Sequence, residues 1–115
     1  MSFNDELLIY KKTETLLDMV YPRLINFPAY EKFALSEHIR MNLFDLLKCL
    51  SLANNVKSKR LTYLQEADGH LQLIKTQMKF AKRRKYISKG FFEEVDERTT
   101  EISKMLKGYI KASVK

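Results

Sequence analysis

The sequence predicts an all-α protein folded as an up-down-up-down antiparallel four-helix bundle. Three observations lead there. Only 3 Gly and 2 Pro occur in 115 residues, too few for the many turns of a strand-rich fold. Apolar residues recur with helical rather than strand spacing in four separate segments. Short connections join those segments, which makes sequential neighbours antiparallel. The length suits one domain over residues 1–115 with one core, and 7 Phe and 6 Tyr beside abundant Leu can fill it.

The first helix is expected from Asn4, an N-cap type followed by Asp5 and Glu6, whose charge suits the positive helix end. Its apolar face is read as Phe3, Tyr10, Leu17, Val20, Tyr21 and Leu24. Pro22 should kink it or end its regular part, and Pro28 in NFPAY marks the first connection. The second helix is expected from Tyr30 or Leu35 to Asn54, on a stripe of Leu35, Ile39, Leu43, Leu46, Leu50 and Ala53. Asn54-Asn55 is a stop signal, because Asn tolerates the left-handed conformation.

The third helix is expected from Ser58 to Lys85, with Leu64, Ala67, Leu71, Ile74, Met78 and Ala81 inward. Gly69 weakens it by roughly 1 kcal/mol against Ala, and close helix packing would account for it. Ser88 is the expected N-cap of the fourth helix, whose stripe is Phe91, Val95, Ile102, Leu106 and Tyr109. Glu93 and Glu94 near its start and Lys104, Lys107 and Lys111 towards its end match the helix dipole. Helices of about 20–28 residues span roughly 30–40 Å.

The formal charge is +7, which points towards nucleic acid, an anionic surface or an acidic partner, with a solubilising surface as the competing reading. The charge is concentrated in KTQMKFAKRRKYISK, residues 75–89, which hold seven Lys or Arg and no acid. Lys75, Lys79 and Lys82 lie within about 60° of one another on a helix, with Arg83 beside them. Arg84 and Lys85 belong to a cationic helix end, favourable by itself. Lys57, Lys59 and Arg60 form a weaker second cluster at the start of the same helix, where cations oppose the dipole. These nine residues are the candidate nucleic-acid contacts, suited to phosphates and thus to salt-dependent, weakly selective binding of RNA or DNA.

A second apolar line is visible on two helices. Phe44, Met41 and Leu52 point away from the second helix's stripe, and Leu73 and Phe80 away from the third's. A contiguous patch of these five would bind a partner, and a second copy of the chain is the expected one; singly exposed side chains need no partner. Asp68 and Arg98 lie close to the apolar stripes, as an interhelical ion pair or as two rim residues.

Chemical motifs are missing. His38 and His70 stand on different helices, outside any metal-ligand spacing. No phosphate loop or activated nucleophile is present. The sequence therefore predicts no enzyme, no metal and no cofactor. Cys49 is alone and has no internal disulfide partner, which favours a reducing cytoplasm. The N-terminus reads as neither signal peptide nor membrane span.

The segment FPAYEKFALSEHIR, residues 27–40, resembles the FP-x3-[KR]-[FY]-x-L-x3-[IL]-[RK] signature of a superfamily of small four-helix-bundle proteins. That superfamily includes proteins encoded by intervening sequences of bacterial 23S ribosomal RNA genes, and the accessory variability determinant (Avd) of diversity-generating retroelements. YPRL (21–24), NLFDLLKCL (42–50), EADGHLQLIKTQMKFAKRRKYIS (66–88) and EISKMLKGYIK (101–111) extend the similarity along the chain. The N-I-A-E-G-like turn typical of the intervening-sequence branch is replaced by SLANNVKSKRLTYLQEAD, so the chain looks more like Avd. That resemblance implies a homopentameric barrel with a basic surface. It also implies a non-catalytic accessory role, binding a retroelement reverse transcriptase and its template RNA during mutagenic copying. An intervening-sequence bundle protein of structural or interaction role is the alternative. A helical adaptor that binds protein alone is a third.

Overall fold

The structure, a computed structural model, describes residues 2–114. Four long helices form an antiparallel bundle: α1 Phe3–Val20, α2 Leu35–Asn55, α3 Arg60–Arg83 and α4 Lys89–Ser113. Short 3-10 turns fill the connections at Tyr21–Asn26, Ala29–Glu31 and Lys57–Lys59. The bundle measures 45 × 25 × 19 Å. No described helix is long and apolar enough to cross a membrane.

The cap of α1 lies two residues before the expected one. Ser2, not Asn4, is the N-cap: its Oγ accepts from Asp5 N at 3.1 Å, and the Asp5 carboxylate accepts from Ser2 N at 3.1 Å. This reciprocal box satisfies two end donors, and the bonds that Ser2 N and Ser2 Oγ donate to the Asp5 carboxyl hold it below its ordinary range. The expected apolar face of α1 holds in part. The buried side is Glu6, Ile9, Thr13, Leu16 and Val20; of the expected residues Val20 and Leu24 are buried and Tyr10 and Leu17 half-buried against the core, whereas Phe3 is 75% exposed and Tyr21 47%. Polar residues at two buried positions hid this face. Thr13 enters the core because its Oγ1 donates to Ile9 O at 2.9 Å, and Glu6 enters it paired.

Glu6 accepts from Arg60 at 2.7 Å and Lys57 at 3.1 Å, and Arg60 also donates to Ala53 O at 3.1 Å. One buried carboxylate thus ties the start of α1 to the end of α2 and the start of α3. Removing either side of such a pair leaves an uncompensated charge.

Pro22 ends α1 as expected: the chain passes into the 3-10 turn at Tyr21–Asn26, with the proline in its first positions. The stripe predicted for α2 is buried, with Leu35 partly so. α2 does not end in a left-handed Asn. Val56 follows with φ −114°, and Asn55 Nδ2 donates to Ser51 O at 2.8 Å, so the Asn side chain serves the helix end. The α3 stripe is buried throughout. α4 starts at Ser88, whose Oγ accepts from Phe91 N at 3.1 Å, and buries its stripe apart from the half-buried Tyr109.

Leu16, Ile39, Leu43, Leu46, Leu50, Leu64, Leu71, Ile74, Met78, Ile102 and Leu106 are essentially inaccessible. Each contributes roughly 1.5–3 kcal/mol relative to exposure. α2 and α3 make the most extensive contact, and a polar link crosses between them. Buried Asn42 donates to Gln77 at 3.1 Å, and its Oδ1 lies 3.0 Å from His70 Nδ1, which must carry the proton of that bond. Asp68 and Arg98 do not pair: Asp68 accepts from Gln72 at 3.2 Å, and Arg98 lies 3.8 Å from Glu94 on its own helix.

Gly69 is not a close-packing glycine. It is exposed, and an added Cβ would meet nothing within 4 Å. Gly69→Ala should therefore stabilise the protein by about 0.5–1 kcal/mol through backbone entropy alone. A higher denaturant midpoint with unchanged slope would show this; an unchanged or lower midpoint would contradict it.

Candidate nucleic-acid interface

The antiparallel order brings the first and third connections to one end of the bundle. There α3 stops in a sharp left-handed turn. Tyr86 N donates to Ala81 O and Lys85 N to Lys82 O, both at 2.9 Å, and Lys85 has φ +63°. This is a Schellman closure, with Lys where Gly is usual. The helix therefore ends at Arg83, two residues before the expected Lys85, and the turn projects the cations outward.

Lys79, Lys82, Arg83, Arg84 and Lys85 are all exposed, and none makes an ion pair among the described residues. Aromatic faces hold three of them instead. Lys82 Nζ lies 4.7 Å from the Phe92 centroid, and the Arg83 and Arg84 guanidiniums lie 5.8 and 5.2 Å from the Phe80 centroid. Such contacts orient a cation without neutralising it. Lys75 sits farther down α3, half-buried, donating to Thr100 Oγ1 at 3.4 Å.

The first connection supplies cations that sequence reasoning missed. Arg23 stacks 4.3 Å from the Phe91 centroid, and Lys32 and Arg40 lie on the same end. Tyr30, Phe33 and Ile25 are exposed there at 75%, 79% and 87%. Tyr86 fastens the two connections together. Its ring lies 5.2 Å from that of Phe27, and its hydroxyl donates to Glu31 at 2.9 Å and accepts from Tyr30 at 2.8 Å. Its place between Tyr30 and the Glu31 carboxylate, which accepts its proton in a hydrogen bond, together with burial, pushes the Tyr86 phenol well above its ordinary range. The topology itself was the available signal, because alternate connections of an antiparallel bundle share an end.

Lys57, Lys59 and Arg60 lie at the opposite end, on the second connection, so they are not brought together with the 75–85 cations. Lys57 and Arg60 are held by Glu6, and Arg60 is largely buried. Only Lys59 of that cluster is exposed without an ion pair. Among the five expected interface residues, Met41, Phe44 and Leu73 are exposed at 53%, 49% and 48%, while Leu52 and Phe80 are half-buried. Phe44 packs edge-on against Tyr21, with centroids 6.1 Å apart.

Among the described residues no group of His, Cys, Asp and Glu is arranged to hold a metal ion. His38 is exposed and His70 is taken up by Asn42. Burial, together with Glu66 and Asp45, pushes the Cys49 thiol up, away from the reactive thiolate. The fold and this end define a helical bundle that presents concentrated positive charge. The chain matches the bAvd-like family model over residues 7–113, and it belongs to that family. No curated protein matches it.

Lys85 carries a measurable backbone cost. Lys85→Gly should raise stability by about 1 kcal/mol, because only Gly enters this region without a Cβ penalty. A denaturant midpoint equal to or below that of the parent would mean the turn is not strained.

Proposed function

We propose that the chain is a non-catalytic accessory subunit of a retroelement reverse transcriptase, acting in the cytoplasm as a homopentameric barrel that holds RNA or DNA on its basic end. One observation carries the nucleic-acid part: Lys79 to Lys85 present five exposed cations with no carboxylate partner among the described residues. Arranged around a ring, each set would be repeated, and a phosphate backbone would displace its counterions across several sets at once. Membership of the bAvd-like family supports the accessory role.

A ring needs two different complementary faces, one meeting the other head to tail. Two apolar lines flank α2 and suit this. Helical phase puts Met41 and Leu73 on the outer side of α2 and α3. Phe3, Leu7 and Tyr10 line a shallow groove between the start of α1 and the end of α2, and Phe44 stands exposed farther along α2.

For the basic end, RNA affinity should fall linearly with salt on logarithmic axes. Lys79→Glu, Lys82→Glu and Arg83→Glu together should lower affinity by at least about tenfold, with helicity and particle mass unchanged. Undiminished affinity in the triple variant would remove these residues from the interface. For assembly, Met41→Glu or Phe44→Glu should shift native mass towards smaller species; parental mass in both would exclude these faces. Capture of a retroelement reverse transcriptase by the chain, lost with assembly, would tie the two activities together.

A further inference from the structure

A groove of about 490 Å³ opens between the first connection and the start of α2. Tyr21, Ile25, Phe27 and Pro28 form an apolar wall, and Lys32, Ser36 and Arg40 form the other side. Three features of the polar side are unsatisfied. The first turn of α2 has no side-chain cap, its N-cap being Ala34. Lys32 and Arg40 make no ion pair among the described residues. Ser36 is 4% exposed, lines the groove, and its Oγ has no hydrogen-bond partner. A buried hydroxyl without a partner is costly to keep, and a helix start with free N–H groups favours an anion.

We propose that this groove is a nucleotide subsite: it takes one phosphate on the α2 N-terminus, Ser36, Arg40 and Lys32, with the attached base against Tyr21, Ile25 and Pro28. This rests on the nucleic-acid reading and deepens it. The donors match a compact oxygen anion, and Arg40 can meet it through two parallel N–H bonds. The wall suits a flat ring, and the volume lies in the range of small-ligand sites. Glu31, bonded to Tyr86, and Glu37, in the first turn of α2, both lie outside the lining of the groove. The groove shares the basic end, where Phe27 and Tyr30 pack on Tyr86 beside Lys85. A strand following Lys82 to Lys85 would thus place one unpaired nucleotide in a defined pocket. That would give position along the strand to a surface that otherwise grips phosphates without register.

The experiment titrates adenosine and uridine monophosphates, adenosine, and inorganic phosphate against the full chain, followed by backbone amide shifts and calorimetry. Both monophosphates are expected to shift Leu35, Ser36 and Glu37 amides and to bind more tightly than phosphate or adenosine alone. Arg40→Gln should weaken the monophosphates at least about tenfold, as expected for loss of a charge-assisted contact. Ser36→Ala should weaken them too while leaving thermal stability equal or higher, because it removes the orphaned hydroxyl; loss of stability would assign Ser36 a packing role and overturn its part. Equal affinity for phosphate and monophosphates would show an adventitious anion only. No shift at the α2 N-terminus would overturn the subsite. Loss of RNA binding in the Lys79, Lys82, Arg83 triple variant alongside an unresponsive groove would retain the basic end and reject the subsite. A responsive groove with no RNA binding by the parent would do the reverse.

Discussion

The register of α2 against α3 is the constraint on which the rest of the molecule depends. These two helices make the largest contact in the bundle, and leucine burial alone would let them slide. Asn42 prevents that. Its amide must meet both Gln77 and His70, about two turns apart on α3, and only one offset of the helices provides both. A buried polar group that has partners in one arrangement and not in others selects that arrangement. The offset then sets how far the start of α2 stands from the end of α3. That distance decides whether the first connection reaches the α3–α4 turn. The Phe27–Tyr86 contact and the Tyr30–Tyr86–Glu31 chain are the outcome.

At the far end Glu6 takes both Lys57 and Arg60, while Lys59, Lys107 and Lys111 make no ion pair among the described residues. On one flank Lys12 meets Glu101. At the near end Lys89 faces Glu93, but Arg23, Lys82, Arg83 and Arg84 are cations with aromatic neighbours in place of acids. The negative end of the α3 dipole offsets part of their mutual repulsion, and the Phe80 and Phe92 rings fix side chains that would otherwise sweep freely. The arrangement keeps the outward field and would lower the entropy lost on binding a phosphate in the proposed role. A left-handed lysine at position 85 fits the same pattern, because the turn keeps a cation at the cost of backbone strain.

The sequence made the helices legible where burial obeyed one rule. The α2, α3 and α4 stripes are runs of aliphatic residues at helical spacing, and each was assigned to the correct face. α1 was legible only in part: Val20 and Leu24 are buried as expected, but the inward line also contains Thr13 and Glu6, while Phe3 and Tyr21 are exposed. Hydrophobicity alone ranks those residues in the wrong order. A hydroxyl bonded to its own helix, and a carboxylate met by two cations from elsewhere, are buried at little cost, but neither partner is local in a pattern read along α1. Gly69 failed for another reason: an exposed glycine and a packed one look identical in a sequence. The run from Lys75 to Lys85 was visible as charge, whereas its aromatic supports and the contribution of Arg23, Lys32 and Arg40 required the helices to be paired in space.

The apolar surplus and the charge segregation constrain any assembly together. α4 carries Glu93, Glu94 and Glu97 on its exposed side, while its neighbour α3 carries the unpaired cations. The apolar lines lie mostly on the other half of the molecule, around α1 and α2, with Leu73 on the outer side of α3. A subunit contact made through those lines therefore leaves both charged surfaces uncovered, and the cations of each copy stay available to an outside polyanion. A contact through α3 and α4 would instead set acids of one copy against cations of the next and cancel the field. In the proposed assembly, burial of the apolar lines around α1 and α2 would leave the Lys79 to Lys85 cations uncovered, so that self-association and phosphate binding would be compatible.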